Sequence, residues 1–319
     1  MLTTALVERI LESLPGLTIG LIGDLFLDRY FDIDPALDEP SVETGLTVYQ
    51  VTGVRSYPGA LGTVLNNLAA LGVGRIVPVS FVGDDGEGYE LKQALGRMPT
   101  VDTSFLVTTS ERRTPTYCKP MRGGIELNRL DIKNRTPTSS EMQDRILECA
   151  RKVWNEANAW IVLDQVSEED CGVVTARVRN WITTHASRDS SKFVLADSRE
   201  RIHDFQHVCV KPNEREAERL NPSRVRAAFV TKGDKGIQLN EQDETRLIPG
   251  YPVSGPVDIC GAGDSCSSGI ACAVASGATF AEAAAFGNLV ASITIQQIGT
   301  TGMATPEQVR RRWADVGGS

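Results

Sequence analysis

The sequence contains no apolar run long enough to cross a membrane. Its first residues, MLTTALVERILESLPGLTIGLIGD, also lack the basic start, long apolar stretch and small-residue cleavage site of a signal peptide. We therefore expect no secretory leader, no membrane partner and a cytoplasmic location.

Metal-binding and nucleophilic patterns are scarce as well. The seven cysteines form no CxxC pair, so a zinc site is not expected, and reduced thiols in a cytoplasmic protein fit best. Only three histidines occur, at positions 185, 203 and 207, and none lies in a recognisable motif. A carboxylate is thus a better candidate than a histidine for a general base.

The charge balance argues against one class of partner. The formal net charge of the 319 residues is −8 and the isoelectric point is about 5.1, whereas nucleic-acid-binding proteins usually present a basic face. We predict no nucleic-acid partner. An anionic small-molecule substrate is compatible with this balance, because the charge of a local site can oppose the average.

Short apolar runs alternate with helical patterns along most of the chain, for example the run LTIGLIGD before the helical stretch at 59–72. This alternation predicts an α/β fold with a mostly parallel sheet covered by helices on both faces. Segments at approximately 30–58 and 101–132 instead alternate polar and apolar residues. They predict a small antiparallel β lid inserted into one domain that spans 1–319. Capping boxes predict helix starts at TSSE (138–141), TFAE (279–282) and TPEQ (305–308).

The most informative stretch is VDICGAGDSCSSGIACAVASG, at 257–277. The glycine turn, Gly261–Gly263, precedes a helix, so its backbone N–H groups and the helix dipole would favour an anion. Neither standard phosphate motif is present, because Cys266 stands where the dinucleotide pattern needs glycine and no Gly-Lys-Ser/Thr occurs. Asp264 could cap the helix or accept a proton from a hydroxyl while the turn holds a phosphoryl group. The pattern alone leaves both roles open.

DICGAGDS resembles the D-T-x-G-A-G-D signature of the ribokinase-like (PfkB) carbohydrate kinases. Six further stretches also resemble that family and occur along the chain in the family's order: GLIGDLFLDRY, PGALGTVLNNLAALG, VGDDGEG, KPNEREAE, VTKGDKG and FGNLVASITIQQIGTTGMATP. The resemblance covers nearly the whole chain. It implies a ribokinase-like three-layer α/β/α fold with a β lid, the use of ATP and Mg²⁺, and a homodimer formed through the lid.

The resemblance also implies which residues carry phosphoryl transfer. Asp264 would be the catalytic base, and the anion hole would be formed by Gly261, Ala262 and Gly263. Asn213 and Glu216 match the family's N-x-x-E pair, which helps to position Mg²⁺ and phosphates, often through water. The alternative for this pair is a helix N-cap with an acid in the first turn.

Other matched positions fall near the two substrates. By resemblance, the residues near the nucleotide would be Thr231, Gly233 and Asn288, for which a simple turn and a polar helix residue are the alternatives. The residues near the sugar would be Asp24, Gly59, Thr63, Arg129 and Asp131. Asp24 is the strongest of these, since a carboxylate at a strand end can accept hydrogen bonds from two neighbouring hydroxyls. For Arg129 and Asp131, a surface ion pair is an equal alternative.

The chain departs from the family pattern in the sugar pocket. Ala60 replaces the second glycine and Thr63 replaces a sugar-binding asparagine, so the sugar could differ from the usual ones. Asp258 matches an acid that in some members helps to hold a monovalent cation. Ile259 replaces the threonine beside it, which leaves a potassium requirement open.

Short stretches of the sequence, notably RLD and IGTTGMATP, are most similar to those in the kinase domain of heptose-7-phosphate kinases. Bifunctional members add a nucleotidyltransferase domain, and we expect that second activity to be absent here. We predict an ATP-dependent sugar kinase that phosphorylates a hydroxyl of a sugar or sugar phosphate. The alternatives are a nucleoside or other small polyol kinase of the same fold, and a catalytically silent sugar or nucleotide sensor.

Overall fold

A computed structural model describes residues 2–242 and 244–317. The helices of this part of the chain are α1 (Thr4–Ser13), α2 (Leu61–Leu71), α3 (Gly86–Gly96), α4 (Ser140–Trp154), α5 (Ala176–Arg188), α6 (Glu214–Ala217), α7 (Ala262–Ala275), α8 (Phe280–Thr294) and α9 (Pro306–Val316). None of them is long and apolar enough to cross a membrane.

The strands fall into a main sheet and a lid. The strands of the main sheet are β1 (Thr18–Gly23), β6 (Arg75–Gly83), β7 (Leu106–Thr109), β11 (Ala159–Asp164), β12 (Phe193–Ser198), β13 (Cys209–Val210), β14 (Ala227–Thr231), β15 (Ile237–Glu241) and β16 (Glu244–Ile248). Those of the lid are β2 (Leu25–Ile33), β5 (Val51–Ala60), β8 (Thr116–Arg122), β9 (Ile125–Glu126) and β10 (Leu130–Ile132), and a separate hairpin pairs β3 (Glu39–Pro40) with β4 (Thr47–Val48).

The main sheet has the order β16-β15-β14-β13-β12-β11-β1-β6-β7. Every neighbouring pair from β14 to β7 is parallel, and β15 and β16 add an antiparallel edge. Successive residues of β11 enter opposite cores: Ile161 packs with α2, α7 and α8, whereas Val162 packs with α4 and α5. The predicted α/β sheet with helices on both faces is confirmed.

The lid differs from its prediction in three respects. Its central strands β2 and β8 pair in parallel, although β2 pairs antiparallel with β5. The lid also begins before residue 30, because β2 continues β1 after only Asp24. Finally, the segment 101–132 does not lie wholly in the lid, since β7 pairs with β6 in the main sheet. As an edge strand, β7 is buried only at alternate residues, so its sequence looks like that of a lid strand.

Two of the three predicted capping boxes are confirmed, at Thr279 and Thr305. The third is wrong by one residue, because Ser139 caps α4 through the Met142 amide. Thr138 is buried, and its hydroxyl accepts from Arg112 at 2.6 Å and donates to the Gly172 carbonyl at 2.7 Å. That buried network holds the threonine outside the helix.

The carboxyl ends of the parallel strands gather polar residues at one edge of the main sheet. Asp197 lies near the end of β12, Lys211 follows β13 and Thr231 ends β14. Helix α7 begins beside them, since the side chain of Lys211 reaches Gly263. Ligands of open α/β sheets bind at this edge.

Candidate active site

The glycine turn leaves backbone amides free at the start of α7. Gly261 has φ +77°, in the left-handed region that favours glycine. Ala262 donates its N–H to the Ile259 carbonyl at 3.1 Å and is thus used within the turn. Within residues 2–242 and 244–317, the amides of Gly263 and Asp264 have no protein acceptor. These two amides can therefore face an anion.

Asp264 lies in the first turn of α7, and its side chain is partly exposed. The pKa of its carboxyl is raised to about 7, mainly by desolvation and then by the charge of Asp197, while Lys211 and Arg199 act in the opposite direction. A carboxylate that titrates near neutral pH is a stronger proton acceptor than an ordinary aspartate. This electrostatic setting suits a general base.

A buried ion pair lies beside the free amides. Lys211 Nζ is 2.7 Å from Asp197 Oδ2, and Lys211 is only 5% exposed. The same Nζ would lie 3.4 Å from a Cβ atom built on Gly263. Desolvation lowers the pKa of Lys211, but Asp197 and other negative groups outweigh it, so the pKa is raised and the ammonium stays charged.

Sequence reasoning missed this pair. The available signal was a lysine at the end of a buried strand, directly before the Pro-Asn of the matched KPNEREAE stretch. A positive charge there adds to the amides in attracting a phosphate.

A cavity of about 520 Å³, here named the α7 cavity, lies next to the glycine turn. Its lining includes five residues predicted to lie near the nucleotide or its phosphates: Thr231, Gly233, Ala262, Gly263 and Asn288. Much of the remaining lining is apolar: Ile237, Tyr251, Pro252, Val253, Val257, Ile259, Ala291 and Ile295. A pocket of this size, with apolar walls and polar groups at one end, suits a ligand with a planar base and a charged tail.

Asn288 braces a wall of the α7 cavity. The residue is 8% exposed, and its Nδ2 donates to the carbonyl oxygens of Ile248 at 3.1 Å and Pro249 at 3.0 Å. Both amide hydrogens therefore hold the loop that follows β16. The predicted nearness of Asn288 to a nucleotide base stays a prediction, with this structural role beside it.

Asn213 and Glu216 form the reciprocal hydrogen bonds of a capping box. Asn213 Oδ1 accepts from the Glu216 amide at 2.9 Å, and Glu216 Oε2 accepts from the Asn213 amide at 2.8 Å. A parallel bridge between Asn213 and Thr231 places this box beside the α7 cavity. Desolvation raises the pKa of Glu216, and the nearby charge of Asp197 acts in the same direction. The structural alternative for the pair is thus realised, next to a strand end that lines the α7 cavity.

The carboxylates near the glycine turn could supply only some of the oxygen ligands of a hard cation such as Mg²⁺. In the described part of the chain, no group of three or more His, Cys, Asp and Glu side chains could hold a metal ion. Mg²⁺ keeps several waters and binds substrate phosphates together with one or two carboxylates. Asp197 and Glu216, whose charges interact, fit that sparse oxygen set.

Asp24 is not the open carboxylate that the sequence predicted. It is 3% exposed between β1 and β2, and its Oδ1 accepts the Val173 amide at 2.7 Å. Its carbonyl accepts the Leu61 amide at 3.0 Å, and its Oδ2 is buried without a partner among the described residues. Desolvation raises the pKa of the carboxyl to about 7. The chain runs straight from β1 into the lid here, so the expected strand-end turn does not form and Asp24 ties the lid to the main sheet.

Asp28 presents the carboxylate that Asp24 does not. It lies on β2 with a side chain 19% exposed, and its Oδ1 is 3.4 Å from Lys119 Nζ. A Cβ atom at Gly59 would lie 2.5 Å from Asp28 Oδ2, so glycine at 59 leaves room for this carboxylate. Burial raises the pKa of the Cys260 thiol, and the charges of Asp258 and Asp28 act in the same direction, so Asp28 lies near the loop that leads into the glycine turn. Sequence reasoning missed Asp28, although it lies in the matched stretch GLIGDLFLDRY.

The two departures from the family pattern have visible structural effects. Ala60 has φ +52° and ψ −116°, a region that residues with a side chain rarely adopt. Thr63 is 4% exposed, and its Cγ2 would lie 3.3 Å from a Cβ atom built on Gly261. Thr63 therefore packs behind the glycine turn, and its buried position limits its reach toward a sugar.

Arg129 and Asp131 form a bidentate ion pair in the lid, at 2.7 and 2.9 Å. The guanidinium of Arg129 also lies 4.2 Å from the ring centroid of Tyr117. Burial raises the pKa of Asp28, and the charges of Lys119 and Arg129 oppose that rise, so Arg129 also lies near Asp28. The ion pair and a substrate role are thus compatible.

Asp258 connects the loop before the glycine turn to the chain after α8. Its Oδ1 accepts the Cys260 amide at 3.0 Å, and its Oδ2 accepts the Gly299 amide at 2.9 Å. Both carboxylate oxygens thus hold backbone. A monovalent cation at Asp258 stays a prediction.

A sequence model described as "pfkB family carbohydrate kinase" matches residues 28–308, from the lid strand β2 into α9. The chain belongs to the pfkB family of carbohydrate kinases. The predicted family and the predicted class of enzyme, a sugar kinase, are therefore confirmed.

Curated relatives of this pfkB chain extend beyond the matched region. The chain is 27% identical over 314 residues to the bifunctional protein HldE of Gluconobacter oxydans, which covers 92% of the chain and 64% of that protein. It is 28% identical over 327 residues to HldE of Pelobacter propionicus, with coverage of 94% and 64%. The chain thus spans less than two thirds of the length of these relatives.

Solved structures share the fold. Arabidopsis thaliana ribokinase, complexed with ribose and ATP, superposes with a TM-score of 0.66 at 17% identity and covers 93% of this chain and 98% of its own. A nucleoside kinase of Methanocaldococcus jannaschii superposes with a TM-score of 0.63 at 21% identity, with coverage of 93% and 98%. These identities carry the fold alone, and the predicted ribokinase-like fold is confirmed.

In this pfkB kinase, the structure brings most of the predicted nucleotide residues together around the α7 cavity and the glycine turn. It does not bring Asp24 to the same surface. Asp28, Asp197 and Lys211 join the site without having been predicted.

Proposed function

We propose that this carbohydrate kinase transfers the γ-phosphoryl group of ATP to a hydroxyl of a sugar or sugar phosphate. The observation that carries the proposal is the position of Asp264. Its carboxyl, with a pKa raised to about 7, lies in the turn of helix that also offers the free amides of Gly263 and Asp264. The α7 cavity adjoins that turn, and the lid carboxylate Asp28 lies near the loop that leads into it.

The α7 cavity would hold the nucleotide. Its apolar walls enclose the base, and the phosphates extend toward the amides of Gly263 and Asp264 and the ammonium of Lys211. These groups stabilise the negative charge of the transferring phosphoryl group, and because they are already fixed by the fold they need no reorganisation during the reaction.

Asp264 would accept the proton of the attacking hydroxyl. As the sugar oxygen bonds to the γ-phosphorus, the bond from that phosphorus to the bridging oxygen of ATP breaks and ADP leaves with the electron pair. The proton passes to the Asp264 carboxylate and is released to solvent afterwards. A base with a pKa near neutral suits this transfer, since a substantial fraction of it is deprotonated at neutral pH and the carboxylate is more basic than that of an ordinary aspartate.

Mg²⁺, when bound, would withdraw negative charge from the phosphates and so favour attack at the γ-phosphorus. Asp197 and Glu216 are the carboxylates placed to hold it, directly or through water, and Asn213 fixes the orientation of Glu216 through the capping box. A requirement for K⁺ at Asp258 belongs to the same proposal and is tested by replacing K⁺ with Na⁺ in the assay.

The sugar would lie between the glycine turn and the lid. Asp28 can accept hydrogen bonds from two neighbouring hydroxyls. Three cations adjoin this space. Lys119 pairs with Asp28, the charge of Arg129 opposes the rise that burial causes in the pKa of Asp28, and the exposed Arg199 opposes the rise that burial causes in the pKa values of Tyr117 and Asp264. Their charge supports a phosphorylated sugar over a neutral one, in keeping with the resemblance to heptose-7-phosphate kinases.

ADP release across a panel of acceptors tests the proposal. The panel contains free and phosphorylated hexoses and heptoses, with nucleosides and simple polyols for comparison, and the Asp264→Asn variant serves as the matched blank. We expect the highest kcat/KM with a sugar phosphate. A nucleoside preference would favour the alternative kinase, and ATP binding without ADP release for every acceptor would favour a silent sensor.

We also propose a homodimer formed through the lid. Strand β5 is one edge of the lid sheet, with β10 at the other, and unpaired edges of this kind tend to pair with another chain. The lid and its hairpin expose large apolar side chains: Val42, Leu46, Val51, Val54, Tyr57, Ile125 and Leu130. A second copy of this chain would cover both the edge and these side chains.

Sedimentation velocity tests the dimer with two matched variants. Val54 is 55% exposed on β5, and Leu247 is 56% exposed on β16 at the edge of the main sheet. Val54→Glu should convert a dimer to a monomer, and Leu247→Glu should leave it a dimer. A monomeric wild-type protein would contradict the proposal.

A further inference from the structure

Residues 251–257, here named the wall segment, line the α7 cavity without belonging to a helix or a strand. Its backbone is held sparsely. Counting partners within 2–242 and 244–317, the Pro252 carbonyl is the only backbone group of the wall segment that makes a hydrogen bond. Because the wall segment has so few backbone hydrogen bonds, the side chain that bonds the Pro252 carbonyl has a large effect on its position.

That contact comes from α9. Arg312 donates from Nη2 to the Pro252 carbonyl and from Nε to Ser292 Oγ, the latter at 3.0 Å. Ser292 lies on α8 and lines the α7 cavity as well. One guanidinium thus connects two walls of the cavity from behind, using the forked donor geometry that only arginine has.

Two contacts hold α9 against α1, so the backbone that carries Arg312 has a fixed position. Arg310 pairs with Glu8 of α1 at 2.9 Å, and Trp313 Nε1 donates to Thr4 Oγ1 at 3.0 Å. The Trp313 ring also packs edge-on against Tyr251 of the wall segment, with 6.3 Å between the ring centroids. These contacts hold the helix, while Arg312 is the residue that bonds the wall segment.

We propose that Arg312 is a positioning residue for the nucleotide: by fixing the wall segment against α8, it sets the affinity of the α7 cavity for ATP. This inference rests on the proposed function of that cavity. Arg312 acts through the wall and is not expected to contribute to the phosphoryl-transfer step. Loss of the residue should therefore weaken nucleotide binding and leave turnover at saturating ATP nearly unchanged.

The test compares Arg312→Ala with Arg310→Ala, which removes a charge and an ion pair from the same helix without touching the cavity. Loss of a hydrogen bond from a charged group typically raises a dissociation constant by about ten-fold. In Arg312→Ala, the Kd for ATP by calorimetry and the KM for ATP should each rise by about ten-fold, with kcat changed by less than about two-fold. Arg310→Ala should match the wild type, because the hydrogen bond from Trp313 to Thr4 still holds α9 against α1. Arg312→Lys, which can reach one acceptor at a time, should fall between Arg312→Ala and the wild type.

Amide hydrogen exchange of the unliganded protein gives a second readout that needs no nucleotide. Exchange in the wall segment should accelerate in Arg312→Ala and not in Arg310→Ala. Unchanged exchange and ATP affinity in Arg312→Ala, or equal losses in both variants, would overturn the role of Arg312. A wild-type protein that binds no ATP would overturn the proposed function instead, and the exchange result would still show whether Arg312 holds the wall.

Discussion

The nucleotide side and the sugar side of the candidate site are built in different ways. The nucleotide side depends on features local in the chain: a glycine turn, the first turn of α7, and strand ends such as Thr231. The sugar side depends on contacts between distant segments, since Asp28 meets Gly59 of another lid strand and Lys119 of a third. Local features leave a continuous motif in a sequence, whereas contacts between strands do not. On the proposed function, lid register would set substrate recognition, whereas the glycine turn and the first turn of α7 would set phosphoryl transfer.

The largest effect should come from the nucleotide side, at Asp264. Asp264→Asn keeps the shape of the side chain and removes its capacity to accept a proton. We expect kcat to fall by about 100-fold or more, with the ATP affinity by calorimetry and the melting temperature close to those of the wild type. Near-normal kcat in this variant would remove Asp264 from the role of base.

Lys211 should give the next largest effect. Lys211→Met would leave Asp197 buried without its partner, which can destabilise the fold, so Asp197→Asn/Lys211→Met serves as the matched variant without an unpaired charge. If Lys211 stabilises the transferring phosphoryl group, kcat/KM for ATP should fall by about 10- to 100-fold in Lys211→Met and at least as far in the double variant, which also removes a carboxylate proposed to hold Mg²⁺. Activity retained in the double variant would make the pair purely structural.

A comparison of variants at Asp28 and Asp24 tests which of the two carboxylates binds the sugar. Asp28→Asn should raise the KM for the sugar by about ten-fold, because a charged acceptor is lost, and should leave the KM for ATP unchanged. Asp24→Asn should leave both KM values near those of the wild type. The opposite outcome would restore Asp24 as the sugar-binding carboxylate.

Asp24 should instead affect stability as a function of pH. Burial raises the pKa of its carboxyl from 3.8 to about 7, so the folded state holds the proton more tightly than the unfolded state does. The stability from this group is therefore present at acid pH and is lost as pH rises through that window. The drop in melting temperature between about pH 5 and about pH 8 should be smaller in Asp24→Asn than in the wild type. An equal drop would contradict the assignment.

Ala60 should give the smallest effect, of opposite sign. Its positive φ favours glycine, so Ala60→Gly should stabilise the protein by about 1 kcal/mol. Ala69→Gly, within α2, should destabilise it by about 1 kcal/mol and is the matched control. Thermal unfolding of both variants measures the difference, and destabilisation by Ala60→Gly would contradict the strain at residue 60.

The sequence predicted features that are local in the chain and missed those that depend on contacts between segments. Buried strands such as β11 and the capping boxes at Thr279 and Thr305 were predictable, because their signals lie within a few residues of each other. Strand β7 was assigned to the lid because a half-buried edge strand has the same alternation wherever it pairs. Asp24 and Asp28 both lie in one matched stretch, and only the direct run from β1 into β2 decides which of them is buried. Lys211 and Asp197 meet across neighbouring strands that are distant in the chain, so no local pattern joins them.

The pH dependence of kcat/KM tests the central claim, that Asp264 accepts the proton beside the glycine turn, most directly. A carboxyl whose pKa is raised to about 7 must lose its proton to act as base. In the wild type, log(kcat/KM) should rise with pH and level off, with a midpoint near that pKa, and this limb should be absent from the residual activity of Asp264→Asn. A wild-type profile that is flat through neutral pH, or the same limb in both proteins, would contradict the account.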